Sequence, residues 1–86
     1  MFKNKSLLGT NNLCGENVRK LRKANIPKMS QRALAEMLQL EGLDVDKNAI
    51  QRIESGDRFV TDIELVFLAK IFHVSCDELL DCQKRQ

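Results

Sequence analysis

The chain predicts an all-α fold, a bundle of five short helices, and three features of its 86 residues carry that expectation. Apolar residues recur three and four apart, as in Leu34, Ala35 and Leu38, or Leu65, Leu68, Ala69 and Phe72. Capping residues stand just ahead of the runs that follow Ser30, Asp46, Thr61 and Ser75. Val, Ile and Thr nowhere alternate with polar residues over strand length, and Trp and Tyr are absent, so nothing favours a sheet. This length holds one small domain with a modest core, and at that size association with a second copy adds stability.

Residues 1–12, MFKNKSLLGTNN, show no period and read as a flexible arm made basic by Lys3 and Lys5. The first helix is expected over 13–25, with Cys14, Val18 and Leu21 inward and Arg19, Lys20 and Lys23 outward. Pro27 restricts Ile26 to an extended conformation and so ends it. The second helix starts at Ser30, carries Gln31 and Arg32 in its first turn, and runs through Gln39 and Leu40 toward Gly42, which can stop it in a left-handed conformation.

Leu43 and Val45 are turn residues expected to tuck into the core. The third helix, 46–55, starts on Asp46 and stops at Gly56. Capping boxes open the last two helices: Thr61 with Glu64, and Ser75 with Glu78. Leu79 and Leu80 are expected to close the core, Phe59 and Phe72 to lie in the core or at its rim, and Phe67 to be exposed. The domain then spans 13–82, with residues 83–86 a polar tail.

Composition removes several classes of function. No apolar run approaches membrane-spanning length, and no long apolar stretch follows Lys3 and Lys5 as in a signal peptide. A cytoplasmic location is expected, with Cys14, Cys76 and Cys82 as reduced thiols. The His73, Cys76, Cys82 spacing, even with Asp77, lacks the paired short spacings of a structural zinc site, so no metal is expected. One histidine, no glycine-rich phosphate loop and no nucleophile–base spacing leave no enzyme to assemble, and no cofactor or small-molecule substrate is implied. The net charge is only +2, but it is unevenly spread: residues 1–32 carry eight basic side chains against Glu16, and residues 33–86 carry six against eleven acidic ones. Such a dipolar molecule can turn one side toward phosphates.

The stretch 30–56 is the candidate site. It reads as two helices joined by a turn, the second with Ile50 and Ile53 behind and Lys47, Asn48, Gln51 and Arg52 in front. Cationic and amide side chains on a short, anchored helix suit the base edges of a DNA major groove. Gln31 and Arg32 lie at a helix N-terminus, where free N–H groups favour a phosphate.

The segments VRKLRK (18–23), SQRALAEML (30–38), NAIQRIESG (48–56) and ELVFLAKIFHVSCDELL (64–80) together resemble the phage-repressor/Cro type of helix-turn-helix DNA-binding domain. The resemblance implies double-stranded DNA as partner, commonly bound by a homodimer, and a transcriptional regulator, here a small repressor of phage or mobile-element type. By position it implies base contacts from Lys47, Asn48 and Arg52, with Gln51 beside them, and backbone contacts from Gln31 and from Arg58 in the loop after the third helix; Arg32 at the helix start and Lys28 ahead of it are expected to add to the backbone contacts. It further implies a structural ion pair between Arg22 and Glu54. The turn between the second and third helices departs from the family by about five extra residues around QLEGL. An antitoxin-like protein-interaction module of the same fold is the alternative.

Overall fold

Side-chain acceptors placed ahead of the apolar runs start the helices. The computed structural model describes residues 9–81, and its helices are α1 (Gly15–Ala24), α2 (Gln31–Leu40), α3 (Lys47–Ser55), α4 (Asp62–Phe72) and α5 (Cys76–Leu80), with no strand among the described residues. Ser30 Oγ accepts from the Ala33 N–H at 3.0 Å, and Asp46 Oδ1 accepts from the Ala49 N–H at 2.8 Å. Thr61 and Ser75 form complete capping boxes with Glu64 and Glu78. Each cap satisfies N–H groups that a helix start leaves open and contributes about 1 kcal/mol.

Helices α2, α3 and α4 end alike. A left-handed residue, Gly42, Gly56 or His73, turns the chain, and the next residue donates back to the start of the last helical turn. The bonds are Leu43 N–H to Leu38 O at 3.0 Å, Asp57 N–H to Arg52 O at 2.9 Å and Val74 N–H to Ala69 O at 3.1 Å. This is the Schellman arrangement, which satisfies the last carbonyls.

The lengthened turn is built on the first of these stops. Leu40 faces solvent at the end of α2, while Val45 is buried and Leu43 packs against the core. Gln39 Nε2 donates to Val45 O at 2.6 Å and ties the loop down.

Val18 and Cys14 from α1 and its cap, Leu34 and Leu38 from α2, Ile50 and Ile53 from α3, Leu68 from α4 and Leu79 from α5 are fully buried together. Helix α3 packs against α2 and α1, and α4 packs against α5, α2 and α1. Three apolar assignments change. Leu80 is 37 % exposed, whereas Leu79 beside it on the single-turn α5 is fully buried and Cys76 packs against the core; Phe59 lies outside the core, 54 % exposed; and Phe67 is half-buried against it.

The expected arm lies outside the described residues up to position 8, and its last residues are docked. Asn11 and Asn12 hydrogen-bond to the end of α3, and Asn12 Oδ1 accepts from the Gly15 N–H at 2.8 Å. Asn12 therefore supplies the start of α1, two residues later than position 13. The polar tail 83–86 lies outside the described residues.

Candidate nucleic-acid interface

Helix α3 is held at both ends and along its back. Asp46 caps its start, Gly56 turns the chain at φ 86° at its end, and Ala49, Ile50 and Ile53 are buried. At about 100° per residue, Lys47, Asn48, Gln51, Arg52 and Ser55 then share one face. All five are exposed.

Among the described residues, the side chains of Lys47, Asn48, Gln51 and Arg52 make no hydrogen bond or ion pair within the chain. Asn48, Gln51, Arg52 and Ser55 line one open hollow, bounded by the carboxylates of Asp46 and Asp57. Donors face outward here without internal competition, and Asn48 and Gln51 also bring acceptors.

A second hollow joins three helices. Arg19 and Lys23 from α1, Gln31 from α2, and Gln51 and Ser55 from α3 line it, with the Arg22–Glu54 pair among its walls. Arg22 Nε lies 2.7 Å from Glu54 Oε2 and Nη2 lies 2.9 Å from Oε1. The Glu54 hydrogen bonds push the guanidinium further above its already high range, outweighing the burial that lowers it. Gln31 Nε2 also donates to Glu54 Oε1, at 3.1 Å, which orients the amide and leaves its second N–H available in the hollow.

Charge is sorted across the molecule. Arg19, Lys23, Lys28, Arg32, Lys47 and Arg52 have no acidic partner among the described residues, and all but Lys28 in the preceding loop lie on α1, α2 or α3. Arg58, by contrast, has an acidic partner. Its guanidinium grips Glu64, with Nη1–Oε1 and Nη2–Oε2 both 3.0 Å, because Glu64 is buried as the capping-box residue of α4 and needs a counter-charge. Arg58 is thereby turned toward the protein.

The thiols and the histidine have structural surroundings. Burial pushes the Cys14 thiol from 9.0 up to about 11, with the Glu64 charge adding to the rise and a backbone hydrogen bond opposing it. His73 is the left-handed end of α4, Cys76 opens α5, and Cys82 lies outside the described residues. Among the described residues no group of His, Cys, Asp and Glu is placed to hold a metal ion, and no helix is long and apolar enough to cross a membrane.

Sequence reasoning missed Asn11 and Asn12. The available signal was an amide side chain just ahead of an apolar run, the usual mark of a cap. It was obscured because the helix begins on Cys14-Gly15, which carries no such mark itself.

A family model described as helix-turn-helix, of the Cro/C1 type, matches residues 18–79. That span runs from inside α1 to inside α5 and includes the whole of α2 and α3. No curated protein and no solved structure matches the chain.

Proposed function

Because the chain belongs to the Cro/C1-type helix-turn-helix family, and is thus a DNA-binding transcription regulator, we propose that it reads a specific sequence with α3 in the major groove, as a small repressor of phage or mobile-element type. The free outward face of α3 is the observation that carries this reading. Arg52 and Lys47 can donate to guanine O6 and N7, and Asn48 and Gln51 can pair bidentately with adenine. Each good contact discriminates by about 1–3 kcal/mol.

Lys28, Arg32 and the first-turn N–H groups of α2 hold phosphates, joined by Arg19 and Lys23 across the second hollow. Gln31 contributes its backbone N–H and the second N–H of its side-chain amide, the first being given to Glu54. Occupancy of the site blocks transcription. A two-fold pair would place its α3 helices roughly 34 Å apart, one helical turn of DNA.

Selection of bound sequences from random duplex DNA at physiological salt tests the reading. Enrichment of a palindrome is expected, with an affinity that falls steeply as salt rises. No enrichment and a flat salt response would overturn it.

The alternative, an antitoxin-like module that binds another protein, is favoured by one observation. Ile63 and Val66 stand 62 % and 57 % exposed on the outer face of α4, with Phe59 nearby in sequence. A module of that kind would keep its partner after Lys47→Ala with Arg52→Ala, whereas the DNA reader would lose its site.

A further inference from the structure

The segment ahead of α1 is bonded to the far end of the helix that reads DNA. Asn12 Nδ2 donates to Ile53 O at 3.1 Å and to Arg58 O at 2.8 Å. The Asn11 N–H donates to Gly56 O at 2.8 Å, and Asn11 Nδ2 donates to Asp57 O at 2.9 Å. Two adjacent residues thus take up four carbonyls at and just beyond the end of α3.

Asn12 works in both directions, because its Oδ1 also accepts from the Gly15 N–H at the start of α1. Two glycines make room for this clasp. A Cβ on Gly15 would sit 2.0 Å from Ile53 O, and a Cβ on Gly56 would sit 2.7 Å from Thr10 Cγ2.

Base readout depends on where α3 sits. A hydrogen bond to a base edge weakens steeply once the donor moves by about 0.5–1 Å, whereas attraction to phosphates tolerates such a shift. The geometry points to Asn12 as a positioning residue for sequence discrimination: it fixes α3 against α1 at the end nearest Arg52 and Ser55 and touches no DNA itself. This inference rests on α3 reading DNA as proposed above.

The test compares specific with non-specific affinity in the full chain. Asn12→Ala removes the Asn12 bonds to Ile53 O, Arg58 O and the Gly15 N–H and leaves the two made by Asn11. Asn12→Asp keeps an acceptor for Gly15 N–H but loses the donor to Ile53 O and Arg58 O. Asn17→Ala is the control, since Asn17 Nδ2 makes the same kind of clasp on α5, to Leu79 O at 2.8 Å and Asp81 O at 3.2 Å.

Both Asn12 variants should lower the ratio of specific to non-specific affinity about tenfold, the size of one lost base contact, with an unchanged salt slope on non-specific DNA. Asn17→Ala should keep the ratio. A merely structural role would lower both affinities together through the folded fraction and leave the ratio alone. Asn12 variants that keep the ratio within about twofold, or an Asn17→Ala that loses it equally, would overturn the inference. A wild-type chain with no sequence preference would overturn the DNA reading, and this inference with it.

Discussion

Arg22 and Glu54, 32 residues apart, meet through two parallel hydrogen bonds of 2.7 and 2.9 Å that tie α1 to the last turn of α3. Their side chains are only 12 % and 4 % exposed. Arg22 Nη1 also donates to Met29 O at 3.0 Å, and Gln31 adds its amide to Glu54, so the pair gathers α1, the loop before α2, α2 itself and α3. A carboxylate so enclosed is tolerated only because its acceptors are filled.

Arg22→Ala strands Glu54 and should cost about 3–5 kcal/mol. Arg22→Lys should recover little, because a lysine cannot present the planar fork. Urea unfolding measures both. A loss under about 1 kcal/mol for Arg22→Ala would show that the pair does not bear on stability.

Cys14 should be silent to alkylation in the folded protein near pH 8. Its thiol titrates near 11 instead of 9.0 and is 1 % exposed, so thiolate and access are both scarce. Folding raises this pKa, so the associated stability is complete below pH 9 and is lost as pH climbs toward about 11. Wild type should therefore lose about 2–3 kcal/mol more than Cys14→Ala across that window. Peptide mapping after alkylation, with unfolding at several pH values, checks both outcomes; early labelling of Cys14 would contradict the burial.

The helices were legible because local chemistry announces them. Ser30, Asp46, Thr61 and Ser75 each make the cap that their side chains suggest, and Gly42 and Gly56 both turn left-handed. The outward set on α3 followed from period alone, with Ile50 and Ile53 marking the back. Long-range polar pairing was not legible. Nothing near Arg58 indicates that Glu64, six residues on, turns it inward, because that depends on how deeply α4 sinks its first turn. Asn12 reaches carbonyls 41 and 46 residues away, which no local window contains. The solvent-facing Leu40 belongs to the same class, since only the path of the loop decides which leucines it covers.

His73→Gly should stabilise the chain. His73 ends α4 at φ 56°, the one left-handed residue that is not glycine among those described. Holding a side chain there costs about 1–2 kcal/mol, and glycine gives back part of the gain through its freer unfolded chain, so a net rise of about 0.5–1 kcal/mol is expected. The urea midpoint should move up with an unchanged slope. A lowered midpoint would mean that the imidazole makes a native contact worth more than the strain.

Three arginines should separate by what they touch. Arg32, free and exposed at the start of α2, stands for phosphate binding; Arg32→Ala should weaken all duplexes alike and reduce the salt slope by about 0.9. Arg52, free on the outward face of α3, stands for base readout; Arg52→Ala should cost about 1–3 kcal/mol on the selected sequence and relax the preference at one base pair. Arg58 is bound to Glu64 at 3.0 Å, so Arg58→Ala should lower the unfolding midpoint and leave both the slope and the preference intact. Titrations of each variant against matched and mismatched duplexes at several salt concentrations distinguish the three. If Arg58→Ala instead reduced the salt slope as Arg32→Ala does, the guanidinium would have to leave Glu64 for a phosphate, and the inward pairing would not persist on DNA.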